Sequence, residues 1–324
     1  MLAIGVPTRN QAGYLRHTLQ SLLSQSIPVP IVVSDNHSTD DTQGVLSEFR
    51  GAVRVIRPPH PLSMSEHWNF VVAAIEAEWV ALLSSDDVAK PSYAEILLEG
   101  TRRQEDAVLV RAAFERIDGS GKVLGTSRLL SVRPVTQPAR TFTEQLLGPK
   151  CSFAAFAVRK KVWEAVGGFP ESLHLFADWG LWLKLSPLGA FVYVDRIASQ
   201  YRVAYRPGLS RERLFHELED DVVIYKEIMP HVAAQLINVP RGLVDRASRI
   251  RFRKRLAHAS QLLRPEETEA RRLVAEVLTP WASAVGGELL LQRFKEGAVL
   301  REAGLAQRLR TVARSVYERI THPV

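Results

Sequence analysis

Apolar and polar positions along the first 200 residues follow two alternating rhythms. Residues 2–7 form an apolar run that ends in Pro7-Thr8-Arg9-Asn10. A run this short and this continuous predicts a strand buried on both faces. Across residues 14–24 the rhythm changes, and Leu15, Leu19, Leu22 and Leu23 recur at helical spacing. Residues 29–34 predict a second strand and residues 42–49 a short helix. Ser38 and Asp41, three apart just before that helix, resemble a capping box. A third strand is expected at 53–57, a helix at 65–76 and a fourth strand at 79–83. Strands alternating with helices predict βαβ units and a mainly parallel sheet with flanking helices.

The pattern continues with a helix at 92–103 and a strand at 107–114. Asp118-Gly119-Ser120-Gly121 is a turn signal that implies a hairpin. Residues 127–141 show no period and read as an irregular loop. A strand at 151–158 and a helix at 160–166 follow, the latter stopped by Gly167-Gly168-Phe169-Pro170. A helix at 176–185 and a strand at 191–198 complete the series. Beyond about 214 strand signals fade into amphipathic helices, with breaks expected near Pro230, Pro240, Pro265 and Pro280. The pattern therefore divides the chain into an α/β domain, residues 1–210, and a helical C-terminal region, residues 211–324.

Composition narrows the class. The 324 residues are 46% hydrophobic, enough for one large core or two modest ones. The single cysteine, Cys151, excludes an intramolecular disulfide and suits a reducing, cytoplasmic setting. The opening MLAIGVPTRN reads as a strand and not as a secretory leader. No stretch approaches the ~20 consecutive apolar residues of a membrane span. Net charge is +7, and residues 211–324 hold 20 basic against 15 acidic side chains. The densest basic run, Arg246 to Arg255, has six basic residues in ten and no acid. That run is expected either to face outward, where it could meet an anionic membrane peripherally, or to pair with acids such as Glu217, Glu219, Asp220 and Asp221. Leu243, Ala247, Ile250, Leu256 and Leu263 offer the buried stripe of such a helix. It lacks the interleaved aromatics of a base-stacking platform, so nucleic acid is not an expected partner.

The candidate chemistry lies where strands end. Three of the first strands run into polar segments: Pro7-Thr8-Arg9-Asn10, Ser34-Asp35-Asn36-His37-Ser38 and Ser84-Ser85-Asp86-Asp87. Parallel neighbours would bring all three to one rim, the edge at which open α/β sheets bind ligands. Adjacent carboxylates there suit a hard divalent cation, Mg2+ or Mn2+, although an Asp pair that merely opens a polar turn fits the same letters. No HExxH, Walker-type loop, nucleophile elbow or cysteine pair is present.

In order and spacing these segments resemble the family 2 inverting glycosyltransferases of the GT-A fold. Pro7-Thr8-Arg9-Asn10 matches the opening P-T-x-N, and Ser34 to Thr42 matches the following Asp/Ser/Thr-rich segment. Ser84-Ser85-Asp86-Asp87 matches D-x-D-D. Gly167-Gly168-Phe169, Ala177-Asp178-Trp179 and Tyr201-Arg202 match the later G-G-F, acid-Asp-Trp and Y-R segments. The resemblance covers residues 2 to about 210. It implies a Rossmann-like GT-A domain that moves a sugar from a UDP- or TDP-sugar to a hydroxyl of a glycan or lipid-linked acceptor. It implies nucleotide binding by Pro7, Thr8, Arg9, Asp35, Ser63, Ser84, Ser85 and Asp86, with Asp35 at the base or ribose. It implies metal binding by Asp86, assisted by Asp87, and Asp178 as general base.

Trp179 would floor the acceptor site or pack in the core, and Arg9 would reach the diphosphate or stand on the surface. Asn69 aligns with an Asn near the donor, whereas His67 and Trp68 carry no assignment. Two departures stand out. Ser84 replaces the first acid of D-x-D-D, and no His follows Tyr201-Arg202. Arg202 and Arg206 are the candidates to take over diphosphate charge. The departures also leave open a silent nucleotide-sugar-binding protein, and oligomer formation is open as well. A sugar-phosphate nucleotidyltransferase would need a glycine-rich loop after the first strand, which Pro7 to Gly13 supplies poorly.

Overall fold

The apolar runs near the start of the chain form β1 (Leu2–Thr8), β2 (Ile31–Asp35), β3 (Arg54–Ile56) and β4 (Trp79–Leu82). In the computed structural model, which describes residues 1–129, 133–203 and 210–300, β1, β2 and β4 are buried at every position. β3 is the exposed edge. Helices α1 (Ala12–Leu23), α2 (Thr42–Glu48) and α3 (Met64–Ala73) connect them in βαβ fashion, so all four strands run parallel. Gly5 lets α3 lie close to β1, because a Cβ there would come within 2.5 Å of Val71 and Leu82 side-chain carbons.

The second half of the sheet is mixed. It comprises β5 (Val88–Ala89), β6 (Ala107–Ile117), β7 (Val123–Ser127), β8 (Val135–Thr136), β9 (Phe156–Arg159) and β10 (Ala190–Arg202). The order is β3-β2-β1-β4-β9-β6-β10-β5, with β7 added to β6 and β8 to β10. β9 runs antiparallel to both its neighbours, while β6 and β10 are parallel. Helices α4 (Tyr93–Arg102), α5 (Pro138–Glu144), α6 (Lys160–Ala165) and α7 (Ala177–Leu185) fill the connections.

Several local expectations are corrected. Residues 127–141 are not simply an irregular loop: Val135 and Thr136 pair with β10, and α5 starts at Pro138. The strand expected at 151–158 is confined to β9, because the chain turns with Ala155 N–H donating to the Ser152 carbonyl at 3.1 Å. Ser38 and Asp41 form no capping box: Asp41 precedes α2 without a side-chain cap, and Ser38 Oγ accepts from Asn10 N–H instead. The reciprocal box forms at Ser63 and Glu66, at the start of α3.

The chain forms two units, Met1–Thr141 with Pro149–Glu171 and Ala177–Tyr205, and Phe142–Gly148 with Ser172–Phe176 and Arg206–Val324. The second is built on α8 (Ser210–Val223), α9 (Met229–Ala234), α10 (Leu243–Leu262), α11 (Thr268–Val285) and α12 (Glu288–Lys295). Pro230 does not interrupt the helical path, since a π-helical turn at Ile224–Ile228 leads into α9. Pro280 lies inside α11. An interior Pro costs a helix about 3 kcal/mol. Its neighbours Leu278 and Trp281 are fully buried and offset that cost. Trp281 stacks on Tyr225 at 5.3 Å and donates Nε1–H to Ser248 at 2.8 Å. Arg271, also fully buried, donates to the carbonyls of Leu263, Arg264 and Phe294, capping the ends of α10 and α12.

Helix α10 divides the basic run. Arg246, Arg249 and Arg253 are exposed and spaced along one helix face, and Ile250 is only half-buried. Arg255 is buried and binds Glu217 and Asp221, and Arg251 donates to Asp221 at 3.0 Å. An outward display of the whole run is therefore corrected for Arg251 and Arg255, whose charges the acids of α8 neutralise.

Candidate functional site

Parallel register brings the polar strand ends onto one rim. Thr8 pairs with Asp35, Ser34 with Ile56 and Gly5 with Leu82, so β1, β2, β3 and β4 all release their chains at the same edge. Asn10 and His37 take left-handed backbone angles, φ 53° and 57°, as the chain reverses there. The two loops brace each other. Asn10 Oδ1 accepts from Thr39 N–H at 2.7 Å, and Asp40 accepts from Ala12 N–H at 2.9 Å in the first turn of α1.

Asp35 is wholly buried at this edge. One carboxylate oxygen accepts from Ser38 N–H at 2.9 Å and the other from Gln43 Nε2 at 2.6 Å. Arg57 stands 4.0 Å away. Each carboxylate oxygen has two lone pairs, so the group retains acceptor capacity beside an exposed cation. Gln43 and Arg57 were not singled out from sequence; Gln43, the second residue of α2 and eight residues beyond Asp35, had the spacing to be found. Pro7 and Thr8 are buried beside this edge, and Arg9 is exposed. Asn36 forms a two-way bond with Leu62, 2.8 and 2.9 Å, which fixes the approach to Ser63. Ser63 itself is exposed and caps α3.

Beyond β4 the acidic loop is held from both sides. The buried Thr18 hydroxyl lies 2.9 and 2.7 Å from the carbonyls of Ser85 and Asp87 and shares its proton between them. Arg202 N–H donates to Asp87 Oδ1 at 2.8 Å. Its guanidinium donates to the carbonyls of Asp86 at 2.7 Å and Asp118 at 2.8 Å, and lies over the Tyr14 ring. Arg202 is only 7% exposed. It therefore brackets the acidic loop and is not the open cation expected at a diphosphate. Arg206 lies outside the described residues.

Asp86 and Ser84 are half-buried at the rim, Ser85 is buried, and Asp87 is 1% exposed, its Oδ2 without a hydrogen-bond partner among the described residues. Burial, then repulsion from Asp86, pushes the Asp87 carboxyl well above the usual carboxylate range. An orphaned buried carboxylate oxygen beside a more open carboxylate is an all-oxygen donor set. It fits a hard cation such as Mg2+ or Mn2+.

Asp178 is the second residue of α7 and half-buried, with Oδ1 accepting from Trp179 N–H at 2.6 Å. A carboxylate in the first turn is stabilised by the helix dipole. Trp179 is fully buried, which leaves its ring no open face for an acceptor. An aromatic cluster positions α7: Trp182 meets Phe156 at 4.7 Å, and Phe169 meets Trp68 of α3 at 5.2 Å. Asn69, next to Trp68, bonds both the N–H and the carbonyl of Phe169 at 2.8 and 3.0 Å. Gly168, at φ 71°, is needed there because a Cβ would come within 2.5 Å of Asn69 Oδ1. Asn69 thus supports the Gly-Gly-Phe turn. His67 is buried against Ser34 Oγ at 2.9 Å, and burial pushes its imidazole down to about 4.

A parallel half-sheet whose polar strand ends share one rim, continued by a mixed sheet with a bracketed acidic loop between them, defines a GT-A type protein. Residues 3–167 match the model of glycosyl transferase family 2, and the chain belongs to that family. Chondroitin synthase of Escherichia coli is 25% identical over 232 residues, 70% of this chain and 32% of that protein. Hyaluronan synthase of Pasteurella multocida is 22% identical over 231 residues, 70% of this chain and 23% of that protein. The chain thus spans a third or less of these two relatives. Among solved structures, TarS 1-349 of S. aureus in complex with UDP-GlcNAc aligns with TM-score 0.60 and 16% identity, covering 98% of this chain and 91% of that one. A mannosyltransferase of Pyrobaculum calidifontis in complex with GDP-Man and Mn2+ aligns with TM-score 0.53 and 14% identity, covering 98% and 80%. These likenesses establish the fold. No helix among the described residues is long and apolar enough to cross a membrane.

Proposed function

We propose that the chain is an inverting glycosyltransferase that takes a UDP- or TDP-sugar and glycosylates a hydroxyl of a glycan or lipid-linked acceptor. The observation that carries this reading is the pairing of two features on one rim: the buried, hydrogen-bonded Asp35 and the Arg202-bracketed Asp86-Asp87 loop. Asp35 receives a donor group of the base or ribose, using its remaining lone pairs or displacing Gln43. Pro7, Thr8 and Ser63 shape the nucleotide edge, with Arg9 and Arg57 as its exposed cations. Asp86 would hold Mg2+ or Mn2+ with Asp87 behind it, and the cation would supply charge stabilisation to the departing diphosphate. Ser84 and Ser85 carry the loop on which Asp86 sits.

Asp178 takes the acceptor proton. As that hydroxyl oxygen bonds to the anomeric carbon, the bond from that carbon to the diphosphate oxygen breaks, and the nucleoside diphosphate leaves with the electron pair. One in-line displacement inverts the anomeric configuration and needs no enzyme nucleophile. Polysaccharide synthesis is the setting supported by the names of the chondroitin and hyaluronan synthases.

The test is a thermal-shift panel of UDP, TDP, GDP and their sugars with Mn2+, since a ligand of the folded state raises its stability. The expected result is stabilisation by UDP or TDP species that Asp35→Ala abolishes. Equal stabilisation of Asp35→Ala and wild type would remove Asp35 from the nucleotide site. Turnover of the stabilising donor, with and without added glycan acceptors, separates an enzyme from a silent binding protein.

A further inference from the structure

The helical unit contains a second cluster of metal-ligating side chains, made of different residues and of different chemistry. His216 and Glu219 stand three residues apart on one face of α8. His216 Nδ1 lies 3.3 Å from Glu219 Oε2, and His174 Nε2 lies 3.6 Å from the same oxygen. The two imidazole rings are 4.5 Å apart. One ligating atom from each of the three side chains falls within 4.8 Å of the others.

The fold holds this trio in place through the neighbouring residue. Asp220 is wholly buried and accepts the backbone N–H groups of His174, Leu175 and Phe176 at 2.8, 2.7 and 2.7 Å. The backbone that carries His174 is thereby fixed to the turn of α8 that carries His216 and Glu219. Ser172–Phe176 and α8 belong to the same unit.

The spacing suits one ion. Zinc binds imidazole nitrogen and carboxylate oxygen at about 2.0–2.1 Å in a tetrahedron, which sets neighbouring ligand atoms about 3.3–3.4 Å apart. The separations of 3.3 and 3.6 Å meet that requirement with minor rotation of the side chains. Side-chain exposures of 51% for His174, 37% for His216 and 44% for Glu219 let an ion enter and leave room for water as a fourth ligand. Imidazole ligands select zinc-like transition metals, in contrast to the oxygen-only loop at Asp86.

We propose that His174, His216 and Glu219 form a zinc site that braces residues 172–176 on α8. The proposal does not depend on the sugar-transfer reading, and its test reads metal binding without any nucleotide. The full chain, stripped with chelator, is titrated with Zn2+ by calorimetry and with Co2+ by visible absorbance. Titrations use wild type and Asp86→Asn, which disables the acidic loop. Both are expected to bind one Zn2+ at this cluster, to show the intense visible bands of low-coordinate cobalt, and to melt at higher temperature with Zn2+.

In the Asp86→Asn background, His216→Ala and His174→Ala should each weaken Zn2+ binding by roughly tenfold or more and lose the cobalt bands. Their circular dichroism should stay unchanged, because both side chains are substantially exposed. Failure of Asp86→Asn to bind Zn2+, or unchanged affinity and cobalt bands in folded His216→Ala and His174→Ala, would overturn the assignment.

Discussion

Arg202 and Asp87 are joined across 115 residues of sequence: the Arg202 N–H donates to Asp87 Oδ1 at 2.8 Å, while its guanidinium holds the Asp86 carbonyl at 2.7 Å. The last residue of β10 thus fixes the loop that follows β4. The side chain expected to meet a diphosphate instead positions the carboxylates that would meet the metal.

Removing the bracket should loosen the loop. Arg202→Ala removes the guanidinium bonds to the carbonyls of Asp86 and Asp118, at a cost of about 1–3 kcal/mol. Chemical denaturation should show that loss, and Mn2+-dependent nucleotide affinity should fall with it. Arg202→Lys keeps the charge but not the fork of donors, so it should recover little of either. Full Mn2+-dependent affinity in Arg202→Ala would show that the loop holds its shape unaided.

Loss of the metal ligand should separate nucleotide affinity from folding. Asp86→Asn is expected to melt as wild type does and to lose the Mn2+-induced gain in UDP affinity. EDTA should do the same to the wild-type protein. Calorimetric titration of UDP with and without Mn2+ measures both, and metal-independent affinity would argue that Arg9 and Arg57 carry the phosphate charge instead.

Asp178→Asn preserves the shape of the first turn of α7 but cannot take a proton. kcat should fall by roughly 10²–10⁴ with donor affinity close to wild type. Single-turnover rates beside donor dissociation constants separate the two effects. A variant that keeps its turnover would move the base to another residue.

His67 makes stability depend on pH. Burial lowers its folded pKa to about 4 from an ordinary value near 6.5. Between those values the unfolded chain binds a proton that the folded chain does not. His67 therefore imposes no penalty above about pH 6.5, and stability falls as pH drops toward 4, by on the order of 3 kcal/mol in all. Urea denaturation at pH 7.5 and pH 4.5 should show a drop that shrinks in His67→Gln. An equal drop in both proteins would place the titrating group elsewhere.

The exposed face of Arg246, Arg249 and Arg253 should give the protein a weak, salt-sensitive affinity for anionic vesicles. Each basic residue near such a surface contributes about 1 kcal/mol, and salt screens the attraction. Co-sedimentation with anionic vesicles should exceed that with neutral ones at low salt and vanish in the triple Ala variant. Equal binding to both vesicle types would end the membrane reading. Arg251 and Arg255 should not contribute, because their partners lie within the protein.

Local pattern was sufficient for the strand–helix order of residues 2–126, β5 excepted, and for the three polar strand ends. Both follow from side-chain periodicity and from the short polar residues that end strands, and neither needs a distant partner. Gly167 and Gly168 likewise announced the end of α6. Pairing across the sheet was not legible. β5 and β8 are two residues each and exist only because β10 offers them a free edge. The same holds for Arg202, whose role depends on an acidic loop 115 residues away. Ser63 took the capping box because its partner Glu66 falls at the third helical position, whereas Ser38 was claimed by the backbone of Asn10. Pro280 stayed inside a helix, and Arg255 went inside the helical unit. In both cases buried neighbours outweigh the local preference, and only the packed structure determines which neighbours those are.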